Sequence, residues 1–239
     1  MTLDIKAVPF ARDNYAWILT DTRTGTVAVI DPGEAAPVME AIGEGRLDLI
    51  LLTHHHSDHI GGADALRQKY GARIAGAEAD QARLPALDLL LHDEDRIAVG
   101  RELGEVMATP GHARGHISFF FPSVPALFSG DTLFSLGCGR LLEGTPQEMV
   151  ESLARYAPLP DETQLYCGHE YTGSNAAFAL TRMPENEALQ RRAEEVKALR
   201  ARNLPTLPVA LGVERKTNPF LMTTDIEQFA ALRRAKDSF

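Results

Sequence analysis

"LLTHHHSDHIGG", residues 51–62, ends an apolar run with four histidines and an aspartate inside six positions, in a chain of 239 residues with eight histidines in all. The run before it, "LDLILLT" at 47–53, shows little alternation, which predicts a strand covered on both faces. An extended backbone turns alternate side chains to one side, so His54 and His56 point together and His55 points away. If the chain bends into a helix at Gly61-Gly62, Asp58 and His59 face a neighbouring position. Neutral imidazole and ionised carboxylate are the usual protein ligands of zinc, and they also suit iron and manganese. One short loop can then serve two adjacent ions.

Outward from this loop the chain alternates strand-like and helix-like segments. "YAWILTD" and "TVAVIDPG" read as strands broken by a turn at Thr24-Gly25, and "APVMEAIGEG" as a helix that stops at glycine. "ADALRQKYG" follows as a helix closed by Gly71. Strands are predicted at "LGEVMAT", "HISFFFP", "ALFSGD" and "TQLYCG", with a helix at "PQEMVESLARYA". Such units specify an α/β core with helices packed outside sheets. After Thr172 the pattern becomes helical: "NAAFALTRM", "NEALQRRAEEVKALRARN" and "TTDIEQFAALRRAKD", with "LPTLPVALG" as a proline-bearing connector. The expected division is therefore an α/β domain over 1–172 and a helical C-terminal subdomain over 173–239.

Further metal-binding side chains fall where predicted strands end, and rigid elements aim groups placed there. "LGEVMATPGH" delivers His112, "ALFSGD" runs into Asp131, and "TQLYCGH" ends at His169. The Asp131 carboxylate is placed to bridge two cations. His55, His92 and His116 are read as non-ligands.

The bulk properties exclude several classes. A formal net charge of −9 argues against a nucleic-acid backbone as partner, while leaving room for a small anionic ligand beside local cations. No apolar run approaches the roughly 18 residues of a membrane span. The start, "MTLDIKAVPFARDNY", lacks a basic region followed by an apolar one, so no signal peptide is expected. Cys138 and Cys167 are too few for a disulfide framework and read as reduced, buried thiols in a cytoplasmic protein. Gly-x-Ser-x-Gly, Walker A and Gly-x-Gly-x-x-Gly patterns are missing, so no serine nucleophile or nucleotide cradle is expected.

His-x-His-x-Asp-His at 54–59, His112 after Thr-Pro-Gly, Asp131 in "SGDTLF" and His169 in "CGHEYT" together resemble the metallo-β-lactamase superfamily. "GCGRLLEGTPQEM" and "YCGHEYT" narrow the resemblance to the glyoxalase II family, the hydroxyacylglutathione hydrolases, and it runs from "DNYAWIL" to "TNPF". The resemblance implies a four-layer αββα sandwich with a C-terminal helical subdomain and a site for two divalent metal ions. Zinc is the expected metal, with iron and manganese compatible. By family position His54, His56 and His112 hold the first metal. Asp58, His59 and His169 hold the second, and Asp131 bridges. Asp58 also orients or deprotonates the water, and His116 supports the site without coordinating.

The implied reaction is hydrolysis of S-D-lactoylglutathione to D-lactate and glutathione by a hydroxide shared between the metals, whose pKa coordination brings down to ~7 at a zinc site. No side-chain nucleophile is required. Arg140 would contact the glycine end of glutathione, and Tyr171 would donate a phenolic hydrogen bond. Two positions depart from the family pattern. Leu142 stands where relatives have tyrosine, and Met222 stands where a basic residue often binds the substrate carboxylate, which leaves Lys216 or an arginine of the last helix to compensate.

Other readings are another acyl-thioester hydrolase, or a persulfide dioxygenase with one iron, which the second ligand set argues against. A non-enzyme di-iron redox or binding module would call for a flavin-bearing partner domain. A β-lactamase would call for export. The expected partner is a small glutathione thioester, met by a monomer with no membrane or nucleic acid involved.

Overall fold

The structure, a computed structural model, describes residues 2–239. Its first sheet takes six strands in sequence order: β1 (Leu3–Phe10), β2 (Asn14–Asp21), β3 (Val27–Ile30), β4 (Leu49–Leu51), β5 (Arg73–Ala77) and β6 (Leu89–Leu91). β1 to β3 form an antiparallel meander, and β3 to β6 are parallel. Period-two alternation sends each strand's side chains to two different cores. Tyr15, Trp17, Leu19, Ala28, Ile30, Leu49 and Leu51 face the interior between the sheets. Ala16, Ile18, Val29 and Ile50 face the other way, against Val38 of α1 (Ala35–Ile42) and Leu66 of α3 (Ala63–Tyr70). Both faces are covered, which is why "LDLILLT" lacks a polar side. A fully buried leucine such as Leu66 contributes about 1.5–3 kcal/mol. Between β4 and α3 lies the single turn α2 (Ser57–Ile60), which carries the Asp58-His59 pair.

The second sheet comprises β7 (Arg96–Val99), β8 (Glu102–Ala108), β9 (Ile117–Phe121), β10 (Ala126–Gly130), β13 (Gln164–Cys167) and β14 (Val209–Ala210), in the order β14-β13-β10-β9-β8-β7. A small ribbon of β11 (Leu133–Phe134) and β12 (Gly137–Cys138) projects beyond β10. β9 and β10 are buried at every position. Their outer side is covered by α4 (Pro146–Ala154), which buries Met149 and Leu153. Thr145 and Glu148 close a capping box at the start of α4, with Pro146 at its first position, a cap that stabilises a helix by ~1 kcal/mol. Helix, two facing sheets, helix: this is the four-layer α/β sandwich.

Beyond β13 come α5 (Thr172–Arg182), α6 (Glu187–Ala201), α7 (Leu211–Thr217) and α8 (Ile226–Asp237). Asn186 caps α6 and Asp225 caps α8, each accepting from the backbone three residues on. Several elements differ from the sequence expectations. "LPTLPVALG" is more than a connector: Val209 and Ala210 pair antiparallel with Leu165 and Gln164, and α7 starts at once after them. β1 was not expected, although Asp4 and Lys6 alternate as exposed residues with the apolar Leu3, Ile5 and Ala7; Pro9 argues against a strand there, yet the pairing with β2 spans the whole strand. Helix α5 begins at Thr172, three residues before its apolar periodicity. Among the described residues no helix is long and apolar enough to cross a membrane.

Candidate metal centre and substrate cavity

The two sheets present their strand ends at one edge, and seven side chains meet there. His54 leaves β4 through Thr53, whose amide and hydroxyl both donate to the buried Asp31 carboxylate, at 2.8 and 2.6 Å. His54 Nε2 and His112 Nε2 lie 2.9 and 3.0 Å from His56 Nδ1, so three ring nitrogens converge on one point. Asp58, His59 and His169 form a second group. Asp131 stands between the two. Its Oδ1 is 3.4 Å from His59 Nε2, and its Oδ2 is 3.5 Å from His112 Nε2 and 3.3 Å from His169 Nε2.

The remaining nitrogen of most of these rings is fixed from behind, which sets tautomer and direction. His59 Nδ1 lies 2.9 Å from Asp31, His112 Nδ1 donates to the Arg140 carbonyl at 2.8 Å, and His169 Nδ1 is 3.3 Å from Asp13. Asn14 donates to Asp58 Oδ2 at 3.0 Å. His116 Nε2 accepts from the Asp131 amide at 3.1 Å, and its ring stacks on His54 at 4.9 Å, so it braces two of the seven from outside. His55 turns away to Asp80 at 2.9 Å, and His92 sits on the surface between Glu78 and Asp95.

Glycine makes the close approach possible. A Cβ on Gly168 would lie 2.6 Å from both Asp131 Oδ1 and His59 Cε1. Gly130, just before Asp131, adopts φ +49°, a left-handed conformation open to glycine without strain.

Electrostatics divide the groups. Burial first, then neighbouring imidazoles, hold His54 well below and His56 below the usual imidazole value; burial lowers His112 as well. In the second group burial opposes charge, but Asp131 and Asp31 outweigh it at His59, and Asp131 and Asp58 lift His169 to about 9. Burial opposes charge on Asp131 too, but His59 and His169 hold it well below the usual carboxylate range. The donor set fits divalent cations on a separate ground. His59 Nε2 and Asp131 Oδ1 are buried polar atoms without a hydrogen-bond partner, aimed at each other's neighbourhood. Buried polar atoms in that condition call for a partner such as an ion.

A cavity of about 360 Å³ opens beside this centre, lined by His112, Asp131, Arg140, Leu142, Tyr171 and, from α8, Arg233 and Lys236. Tyr171 stacks flat on His169, with ring centres 4.6 Å apart and planes 5° apart. Burial, then Asp13 and Asp131, push its phenol up to about 12, so it is a neutral donor. The expectation about position 222 needs correcting. Leu221 and Thr223 flank a separate apolar cavity with Val150 and Leu153, and Met222 does not line the site. Lys216 lies elsewhere as well, lining a different cavity together with Asp161 and Glu195.

Of the cations offered in compensation, an arginine of the last helix does reach the cavity, as Arg233; Lys236 beside it was not singled out. Arg233 is already engaged, donating to the Cys138 carbonyl at 2.7 Å and to Asp237 at 2.9 Å. Lys236 donates to the Ser174 carbonyl at 3.2 Å and keeps further donors for a ligand. Their spacing of three on one helix was the available signal, but charged helix faces are usually only solvated.

Comparison with known proteins identifies the family. Residues 10–169 match the Metallo-beta-lactamase superfamily, and residues 170–239 match the Hydroxyacylglutathione hydrolase C-terminus. The chain is 50% identical to the hydroxyacylglutathione hydrolase of Rhodobacter capsulatus, over 98% of this chain and 91% of that one. It is 51% identical to that of Acidiphilium cryptum (strain JF-5), over 98% and 96%. The crystal structure of ETHE1 from Myxococcus xanthus shares the fold, with a TM-score of 0.72 at 24% identity over 97% of this chain and 90% of that one. With both halves matched and half of its residues shared across nearly full length, the chain belongs to the hydroxyacylglutathione hydrolase family of the metallo-beta-lactamase superfamily.

Proposed function

We propose that this chain hydrolyses S-D-lactoylglutathione to D-lactate and glutathione with two divalent cations, zinc by preference. His54, His56 and His112 hold one; Asp58, His59 and His169 hold the other; Asp131 is shared. The observation that carries this reading is the convergence of seven side chains from separate strand ends into two abutting donor groups with Asp131 between them. Bound there, the cations supply a nucleophilic hydroxide at neutral pH and polarise the thioester carbonyl.

The chain's own residues bind and orient. Asp58, fixed by Asn14, accepts a hydrogen bond from the attacking water and aligns it. Lys236 and Arg140 meet the carboxylates of glutathione, with Arg233 adding positive charge from behind. The Tyr171 phenol donates to the peptide portion, its ring held against His169. Residues 173–239 act as the substrate-binding part, since α8 brings the cations to the cavity. The departing thiolate is stable enough to need no protein acid. Work in a reducing compartment such as the cytoplasm is consistent with the two free, buried thiols of Cys138 and Cys167, and the chain is taken to act as a monomer.

The test is turnover of S-D-lactoylglutathione beside other acyl-thioesters, with elemental analysis of the same sample. Chelation should abolish activity, and added metal should restore it. His54→Ala and Asp131→Ala should each lose both metal and activity; full turnover by a metal-free preparation of either variant overturns the reading.

A further inference from the structure

Arg140 lies on the segment that joins β12 to α4, and its guanidinium is exposed with no side-chain partner among the described residues. An exposed arginine on a loop loses much of its binding energy to ordering unless the loop is already fixed. The near end of this segment is fixed: the Arg140 carbonyl accepts from His112 Nδ1 at 2.8 Å. The far end is fixed by Glu143. Its carboxylate accepts from Arg83 Nη1 and, at 2.9 Å, from the Arg114 amide, while Arg114 Nε donates to its backbone carbonyl at 3.3 Å. The next amide, Gly144, donates to the Gly111 carbonyl at 3.1 Å.

Glu143 belongs to a closed ring. Asp80, whose side chain is wholly buried, accepts from Arg83 Nε at 2.7 Å and lies 2.9 Å from His55 Nδ1. His55 Nε2 is in turn 3.5 Å from Glu143 Oε1. Two carboxylates, Asp80 and Glu143, are thus each bridged by the same pair, Arg83 and His55. His55 is the middle member of the histidine triplet, and its position is set by the ligand residues on either side. The ring ties the metal loop, the 3-10 turn at Glu78–Asp80 and the Arg140 segment into one unit.

We propose that Glu143 is a positioning residue for the thioester: anchored to Asp80 through Arg83 and His55, it holds the Arg140–Gly144 segment so that Arg140 faces the cavity. This rests on the hydrolase reading above. It gives a role in the site to a histidine that holds no metal.

The test is a double-mutant cycle. Glu143→Ala and Arg140→Ala should each raise KM for S-D-lactoylglutathione about tenfold with kcat changed less than threefold, and the double variant should be no worse than the weaker single variant. Glu143→Gln, which keeps an acceptor for the Arg114 amide, should recover part of the KM. Effects that multiply in full, or a loss confined to kcat and melting temperature, overturn the proposal. A readout independent of the substrate is amide exchange at Gly144, which should quicken in Glu143→Ala. Unchanged exchange there overturns the positioning role of Glu143, whereas no thioester turnover by the wild-type enzyme sinks the hydrolase reading instead.

Discussion

Gly168→Ala tests how tightly the centre is assembled. The added Cβ would stand 2.6 Å from Asp131 Oδ1 and from His59 Cε1, where ordinary contact begins at 3.4 Å, so something must yield by about 0.8 Å. Peptide 168 cannot yield easily: its amide donates to the Gly130 carbonyl at 3.0 Å and its carbonyl accepts from the Tyr15 amide at 2.8 Å. His59 is pinned by Asp31. The Asp131 carboxylate is left to move, and it lies between both donor groups. A misplacement near 1 Å in a reacting constellation lowers rate by ~10²-fold, and overpacking costs ~1–3 kcal/mol. The expected result is kcat for lactoylglutathione down about a hundredfold, at least one metal equivalent lost, and a melting temperature lower by a few degrees. Gly173→Ala is the control, since beyond its chain neighbours and the backbone of α5 itself nothing lies within 4 Å of its Cβ position. That variant should match the wild type in turnover. Full metal content and wild-type kcat in Gly168→Ala would refute the packing argument.

Four further outcomes follow from other contacts. Lys236→Ala should raise KM for the glutathione thioester roughly tenfold and leave kcat within a factor of three, as expected for a group that binds ground state and transition state alike. His55→Ala should retain both metal equivalents by elemental analysis; loss of one would reassign the triplet. Glu214 is fully buried and accepts from Ser135, the Leu136 amide and Asn218, so Glu214→Ala leaves buried donors unpaired. The loss should be about 3 kcal/mol, or ~6–12 °C in a chain of this size, read by thermal melting. Asp21, with amides of Arg23 and Arg101 donating to it, is lowered from 3.8 to about 2. A depressed carboxyl stabilises above its unfolded value and loses that contribution as pH falls through the folded one. Asp21→Asn should therefore be less stable than wild type at pH 7 by urea midpoint, and the gap should close as pH drops from 3.8 to 2.

The seven candidate donors stood out because their chemistry is rare and five of them come after strand ends, with Asp58 and His59 on the short helix α2; their division into two sets came with the family resemblance. Helices outside sheets were legible in the alternation of segments, whereas the four layers came with the family resemblance; the division of β2 to β5 into inward and outward residues appears only in the fold. β14 was hidden because two residues beside Pro208 make a strand only by virtue of the edge they join. Lys236 was hidden because the docking of α8 against β12 and α5 is a relation between distant parts, and a basic pair three apart looks like any wetted helix. Glu143 had no signal of its own. A loop glutamate becomes informative only when Arg83, 60 residues away, is seen to reach it.

β14 also bears on how far this protein can be dissected. The last two strands of the second sheet are Leu165 against Val209 and Gln164 against Ala210, so the edge from which His169 hangs is sealed by chain from the far side of α6. Cutting after residue 172 would strip that seal and leave β13 with a bare rim of amides and carbonyls, open to intermolecular pairing. An α/β half expressed alone should therefore self-associate, and grafting a foreign substrate-recognition module would have to bring its own sealing strand.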